Sequence, residues 1–194
     1  MKRSTWIILG VVAILFIGGC NSYNGLVNKE TAVKGAWSQV EVDYQRRADL
    51  IPNLVSTVKG VANFEQGTLE KVVQARASAT SIKIDPSNLS PEQIKKYQAA
   101  QGELSTALGR LLAISENYPS LKATENFSEL QAQLEGTENR IAVARGRFNE
   151  VVQDYNASIR RFPGVIVARM AGMTEKGYFE ADKGASEAPK VDFD

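Results

Sequence analysis

Histidine is absent from this chain. With it go the commonest general acid–base group and the commonest side-chain metal ligand. Cysteine occurs once, at Cys20, which excludes an internal disulfide and a cysteine-based metal centre. Net charge is nearly absent too: 23 basic against 22 acidic residues give +1. Without the first nineteen residues, which carry Lys2 and Arg3, the balance is 21 against 22, or −1. No basic footprint for nucleic acid exists in such a chain. There is no tandem repeat and no strand-like alternation. These absences exclude Ser-His-Asp, Cys-His and zinc chemistry. A di-metal carboxylate bundle needs Glu-x-x-His pairs, and no serine–lysine spacing stands out as a hydrolase pair. The expectation is a protein without enzymatic activity, without a metal or other cofactor, and without a small-molecule substrate.

What is present suffices for a core. The 194 residues suggest one domain with appendages, and 43% of them are hydrophobic. The longest apolar run, Trp6 to Ile17, follows the basic Lys2 and Arg3 and precedes Gly18-Gly19-Cys20. Basic, apolar and small segments in that order form an export signal. As a helix, Trp6 to Cys20 spans about 22 Å, short of the roughly 30 Å bilayer core. Ile17-Gly18-Gly19-Cys20 has the form of a lipobox, in which cleavage leaves Cys20 as the site of lipid attachment. An uncleaved single-pass anchor, with Cys20 a small apolar residue near its end, is the other reading. Both place the bulk of the chain outside the cytoplasm, held at its N-terminus in the cell envelope.

Beyond the anchor, the spacing is helical. Leu26, Val33, Trp37, Val40, Tyr44 and Ile51 recur at steps of three, four or seven, with Glu30 and Arg47 in the intervening polar slots. A second stripe holds Leu54, Val58, Val61, Leu69 and Val72, with Arg76 and Ala79 on the same steps. Ser90-Pro91-Glu92-Gln93 is a helix start, with serine at the N-cap and proline at the first position. Ile94, Tyr97, Gln101, Leu104, Leu108, Leu111, Ser115 and Tyr118 follow it. The clearest segment runs from Phe127 through Leu134, Thr137, Ile141, Phe148 and Tyr155 to Phe162, before Pro163-Gly164. The aromatic residues at heptad spacing are expected in the core. The fold class is therefore all-α: an elongated antiparallel bundle of about four long helices in up-down-up-down order. The expected divisions are an anchor segment at 1–19, the bundle at 20–173 and a tail at 174–194, where only Tyr178, Phe179 and Phe193 are suited to docking.

One stretch breaks the pattern. Tyr44 to Val55 packs Arg46, Arg47, Asp49, Pro52 and Asn53 into the first stripe. Proline lacks a donor and disfavours helix before it, so this stretch reads as a kink or corner across which the flanking segments pair. A stripe arginine needs carboxylates or carbonyls inside a bundle. Arg47 and Arg76 are thus expected to meet Glu138 or Asp49 in a network that sets helix register, with Arg140 flanking. Arg46 and Asp49, off the stripe, are the first candidates for contact with a partner.

The same residues carry a resemblance. Ser22-Tyr23-Asn24, Trp37-Ser38-Gln39-Val40, Gln45 through Val55 with Val58-Lys59-Gly60, and Ala75-Arg76-Ala77 resemble the LemA family of bacterial membrane-anchored helical proteins. So do Leu130-Gln131, Leu134 through Ile141 with Ala144-Arg145, Tyr155-Asn156, Tyr178-Phe179-Glu180-Ala181 and Pro189-Lys190-Val191. The resemblance spans essentially the whole chain. It implies an anchored antiparallel bundle facing away from the cytoplasm, and no catalytic residues. Many relatives resemble proteins with an uncleaved anchor, from which the lipobox-like Cys20 departs. The expected partners are the membrane and other envelope proteins or further copies of this chain; the expected role is scaffold or adaptor, or alternatively a self-assembling, membrane-shaping protein.

Overall fold

The structure, a computed structural model, describes residues 3–60 and 65–181. Six helices follow one another: α1 (Arg3–Lys59), α2 (Gln66–Ser81), α3 (Pro91–Ser115), α4 (Pro119–Lys122), α5 (Glu125–Arg160) and α6 (Gly164–Met170). Among the described residues there is no strand, and the all-α bundle is observed. Val61, Phe193 and Pro189-Lys190-Val191 lie outside the described residues.

The first finding corrects the corner at Pro52. The chain does not turn there: α1 runs through Pro52 to Lys59 as one helix of 57 residues, about 85 Å long. The helix ends at Lys59 instead. The N-terminal apolar segment and the first bundle helix are also one element, because nothing between Cys20 and Leu26 breaks a helix. Its N-terminal part is long and apolar enough to cross a membrane, by length and composition. From Ser4 to Tyr23 the helix covers roughly 30 Å, so continuation past Cys20 supplies the length that the apolar run alone lacked. Trp6, Ile7, Leu9, Val11, Val12, Ile14, Phe16 and Ile17 all stand exposed there.

Contacts along the helices give the topology. Lys29 of α1 pairs with Asp154 of α5, and Arg47 pairs with Glu138, so α5 runs antiparallel to α1. Arg76 of α2 reaches Ala48, while Trp37 and Arg47 meet Tyr97 and Gln101 of α3. Thus α2 descends and α3 ascends beside α1. Helix boundaries follow the local chemistry. Ser90 Oγ accepts from the Gln93 amide with Pro91 at the first position of α3, and Asp85 closes the α2–α3 loop by accepting from the Ser87 amide.

The closest helix pairs are α1 with α5 and α2 with α3, and α1 also packs on α2. The backbones of α3 and α5 stay apart, leaving a seam. Residues 174–181 fill its lower part as an extended strap. Two amides of α5 hold the strap's backbone at both its N–H and C=O. Asn156 Nδ2 donates to Lys176 O while its Oδ1 accepts from Lys176 N, each at 2.9 Å. Asn149 does the same for Phe179, again at 2.9 Å twice. From α3, Gln98 brackets Glu180 at 2.8 and 3.1 Å. The strap thus satisfies its backbone without a neighbouring strand. Gly177 is required where the strap crosses the start of α3: a Cβ there would lie 2.6 Å from Pro91 Cα. Phe179 closes the core against Trp37 and Phe148. Of the residues expected to dock, Phe179 is buried and Tyr178 stays exposed. Lys176, unremarked in the sequence, is buried, donating to Ser87 O at 2.9 Å and pairing with Glu30 at 3.4 Å. Phe162, expected on the α5 stripe, is exposed because the helix ends at Arg160.

Burial also sets two tyrosines apart. Tyr155 donates its hydroxyl to Thr174 O at 3.2 Å. Burial first, then the Glu30 carboxylate, push its phenol up to about 12. Tyr97 moves the same way, through burial and the neighbouring Tyr44 and Glu41, against the opposing pull of Arg47 and Gln101. Unfolded tyrosine titrates near 10. The folded state holds these protons to higher pH, so their contribution is complete below about pH 10 and is lost as pH rises toward 12. Denaturant midpoints measured across that window should fall, and Tyr155→Phe should make the fall shallower; a midpoint flat across the window would contradict this reading.

Candidate functional site

The apolar interior is not continuous. One cluster runs from Leu26 to Tyr44 on α1, with Ile94 and Tyr97 on α3 and Ile141 to Ile159 on α5. The other runs from Ile51 to Val58, with Leu69 and Val72 on α2, Leu104 to Leu111 on α3, and Phe127 and Leu134 on α5. Between them lies a polar layer: Arg47, Gln101 and Thr137, all buried, at one level on three helices. Each occupies a stripe position between two apolar neighbours, which is why heptad geometry brings them together.

Arg47 is 1% exposed and four of its five N–H groups are bonded. Nη1 donates to Ser105 Oγ and Glu138 Oε1, each at 2.6 Å. Nη2 donates to Gln101 Oε1 at 2.7 Å and Gln101 O at 3.2 Å. The fifth, Nε, has no hydrogen-bond partner among the described residues. The guanidinium also stands 5.1 Å over the Tyr44 ring. Glu138 sits at the rim, 47% exposed, so the ion pair joins a buried cation to a half-hydrated carboxylate. Removing the carboxylate leaves the cation buried and largely unneutralised, the costly case for such pairs.

Arg76 has a different task. Pro52 has no N–H, so the Ala48 carbonyl four residues earlier lacks its helical donor. Arg76 Nε donates to Ala48 O at 2.7 Å. A side chain from α2 thereby replaces the amide that proline removes, and α1 continues. Asp49 accepts from Gln45 Nε2 at 2.7 Å within its own helix. Arg46 and Arg140 are exposed. The structure therefore brings Arg47 to Glu138 and Arg76 to the backbone beside Pro52, and leaves Arg46, Asp49 and Arg140 outside that layer. Cys20 is exposed on α1.

Concave surfaces lie at and near the layer. Above the strap, the α3–α5 seam opens as a groove of about 630 Å³ with Tyr44 and Arg47 at its floor and Lys95, Ser105, Arg145 and Glu180 around it. On the other side of α1, Glu41, Val42, Arg46, Asp49 and Gln133 line a shallow depression of about 690 Å³. Burial pushes the Glu41 carboxyl up there, with the Trp37 indole N–H pulling against it. Among the described residues, no three His, Cys, Asp or Glu side chains converge as metal ligands would. The chemistry these surfaces offer is hydrogen bonding and charge pairing with a bound group. The groove also draws on Gln101, which stands on the α3 stripe in the sequence without an assigned role, and on Ser105, off that stripe.

Comparison with known proteins agrees with this architecture. Residues 36–193 match the family model of the LemA family. Magnetosome protein MamQ of Magnetospirillum gryphiswaldense is 28% identical, over 87% of this chain and 68% of its own length. Magnetosome protein MamQ 2 of Paramagnetospirillum magneticum is 27% identical over the same shares. Protein LemA of Metamycoplasma hominis is 24% identical, over 96% of this chain and 78% of its own.

Two expectations follow from the layer. Glu138→Ala should lower stability by about 2–3 kcal/mol, less than the loss for a fully buried pair because Glu138 is half in water; urea denaturation measures it, and an unchanged midpoint would count against the pair. Arg76→Ala should cost about 1–3 kcal/mol by orphaning the Ala48 carbonyl. The same change in a Pro52→Ala background, where residue 52 again has an N–H, should cost much less. Equal costs in both backgrounds of this double-mutant cycle would show that Arg76 does not substitute for the missing amide.

Proposed function

This chain belongs to the LemA family, and from that premise we propose a non-enzymatic, N-terminally anchored rod whose bundle stands outside the cytoplasm and works through protein contacts, as scaffold or adaptor for other envelope proteins. The observation that carries the reading is the single helix α1. Its exposed apolar end and its bundle half are one continuous rod, so whatever holds the first twenty residues also holds the bundle by that end. Whether Cys20 carries lipid or the helix stays uncleaved, the anchored end is the same. The divisions at 1–19, 20–173 and 174–194 remain part of the proposal, with Lys176 and Phe179 of the last division buried.

The role of the polar layer in this rod is register. A buried cation on α1 whose partners sit on α3 and α5 is satisfied in one alignment only, and a slip by a turn strands it. Arg46 and Asp49, beside exposed Val42 on the shallow face of α1, supply a surface for a partner. A second reading, a self-assembling membrane-shaping protein, draws on the rod shape held at one end.

One experiment separates these. A photo-crosslinking residue at Val42, in the full chain in intact membranes, should yield adducts with other envelope proteins, reduced several-fold by Arg46→Ala with Asp49→Ala. Adducts only at multiples of this chain's own mass would favour self-assembly. No adducts from either, with the fold retained, would defeat both.

A further inference from the structure

The short helix α6 is built inside out. The residues it buries are small, Gly164 and Ala168, while Ile166 is 52% and Met170 85% exposed; Phe162, in the turn just before, is 81% exposed. A soluble helix packs its large apolar side chains inward; here Val165 and Val167 are only half-buried, Ile166 and Met170, four apart, face out together, and Phe162 in the turn before the helix is exposed beside them. The close approach that causes this is visible at Gly164: a Cβ there would collide with Ser158 O and lie 3.8 Å from the Leu26 side chain. The helix is thus clamped against α5 and α1 by its small face, and its large face has no cover among the described residues.

Its position decides what covers it. Val167, Met170 and Ala171 of α6 form one wall of an apolar groove of about 690 Å³, and Phe16, Gly19, Cys20 and Tyr23 of α1 form the other. That is the level at which the exposed apolar stretch of α1 gives way to the bundle, whose first core residue is Leu26. Exposed Arg161 and Arg169 flank the three apolar residues, and Arg160 nearby pairs with Glu175 at 3.6 Å. Large apolar groups pointing out, arginines beside them, and an aromatic at the same height make the pattern of a surface that lies in the headgroup region of a bilayer. Arginine stems can lie along the acyl boundary while their guanidinium groups meet phosphates, and anionic lipid strengthens the contact.

We propose that the α5–α6 corner, through Phe162, Ile166 and Met170 with Arg161 and Arg169, docks onto an anionic lipid surface and gives the rod a second foothold beside its anchor. The proposal rests on the reading that the N-terminal end of α1 enters the bilayer, and holds for a lipid on Cys20 or an uncleaved helix, since both bring the membrane to the level of Cys20. Two footholds on one face fix the rod's tilt and rotation, which a lone helix or lipid leaves free.

The test uses the full chain with Cys20→Ser, which also prevents lipobox processing, and one introduced thiol carrying an environment-sensitive fluorophore. The thiol is Val12→Cys in the anchor, Ala171→Cys beside the corner, or Val143→Cys, an exposed site far along α5. The chains are placed in vesicles of phosphatidylethanolamine and phosphatidylglycerol containing nitroxide-labelled lipid. Positions 12 and 171 should be quenched and position 143 should not. Phe162→Ser with Ile166→Ser and Met170→Ser should lower quenching at 171 several-fold while leaving 12 unchanged. Arg161→Gln with Arg169→Gln, or vesicles of phosphatidylcholine alone, should lower it in the same direction. Circular dichroism checks that the variants keep their helix content. Quenching at 12 with 171 as dark as 143 would overturn the proposal and leave the anchor standing. Equal quenching at 171 after the serine substitutions would overturn it as mere proximity. Protection of 171 that appears only when envelope proteins are added would assign the face to a protein instead. Quenching at neither 12 nor 171 would sink the anchored reading and this one with it.

Discussion

A positive charge sealed inside a helical bundle is the constraint on which the rest depends. Arg47 interrupts the apolar stripe between Tyr44 and Ile51, and so divides the core into two clusters. Desolvating a guanidinium is costly, and the cost is met only where acceptors converge. They come from α3 and α5, through Gln101, Ser105 and Glu138. Apolar layers tolerate sliding, since one leucine replaces another. A guanidinium with four directed bonds does not. The polar layer therefore weakens the core locally, and in the proposed reading it sets the alignment of the three helices.

One turn further along, the same helix carries a proline, and here the bundle corrects a local defect by a distant residue. Read alone, Pro52 ends a helix. In the folded chain the carbonyl it orphans receives a donor from Arg76, so α1 extends from the apolar end through the whole bundle. The two arginines of the stripes, Arg47 and Arg76, thus act within one turn of each other on α1, one on side chains and the other on backbone.

The open seam between α3 and α5 is the complement of this arrangement. With α1 at the centre of the closest packing, α3 and α5 are held apart, and an extended strap takes the place a helix flank would fill. Asn149 and Asn156 lie seven residues apart, two turns along one face, and bracket the strap at two points. Their burial is tolerable because each amide meets both a donor and an acceptor. Phe179, carried by the strap, completes the aromatic cluster around Trp37.

Local rules were enough for much of this. Stripe positions on α3 and α5, the serine–proline start of α3, the loop at Asp85 and the stop at Pro163 rest on periodicity, capping and turn chemistry, each acting within a few residues. They determine an all-α chain with an apolar leading end, and the resemblance to its family is carried by the same residues. What only the tertiary structure decided are the pairings between groups far apart in the chain. The donor that serves the Ala48 carbonyl sits 28 residues away, and the carboxylate that meets Arg47 sits 91 away. The strap's partners lie on two helices and leave no apolar period to read. The outward face of α6 depends on how closely Gly164 approaches α5. Apolar periodicity reports which face of a helix is buried; it carries no information about which polar group is waiting there, because that group is placed by another helix.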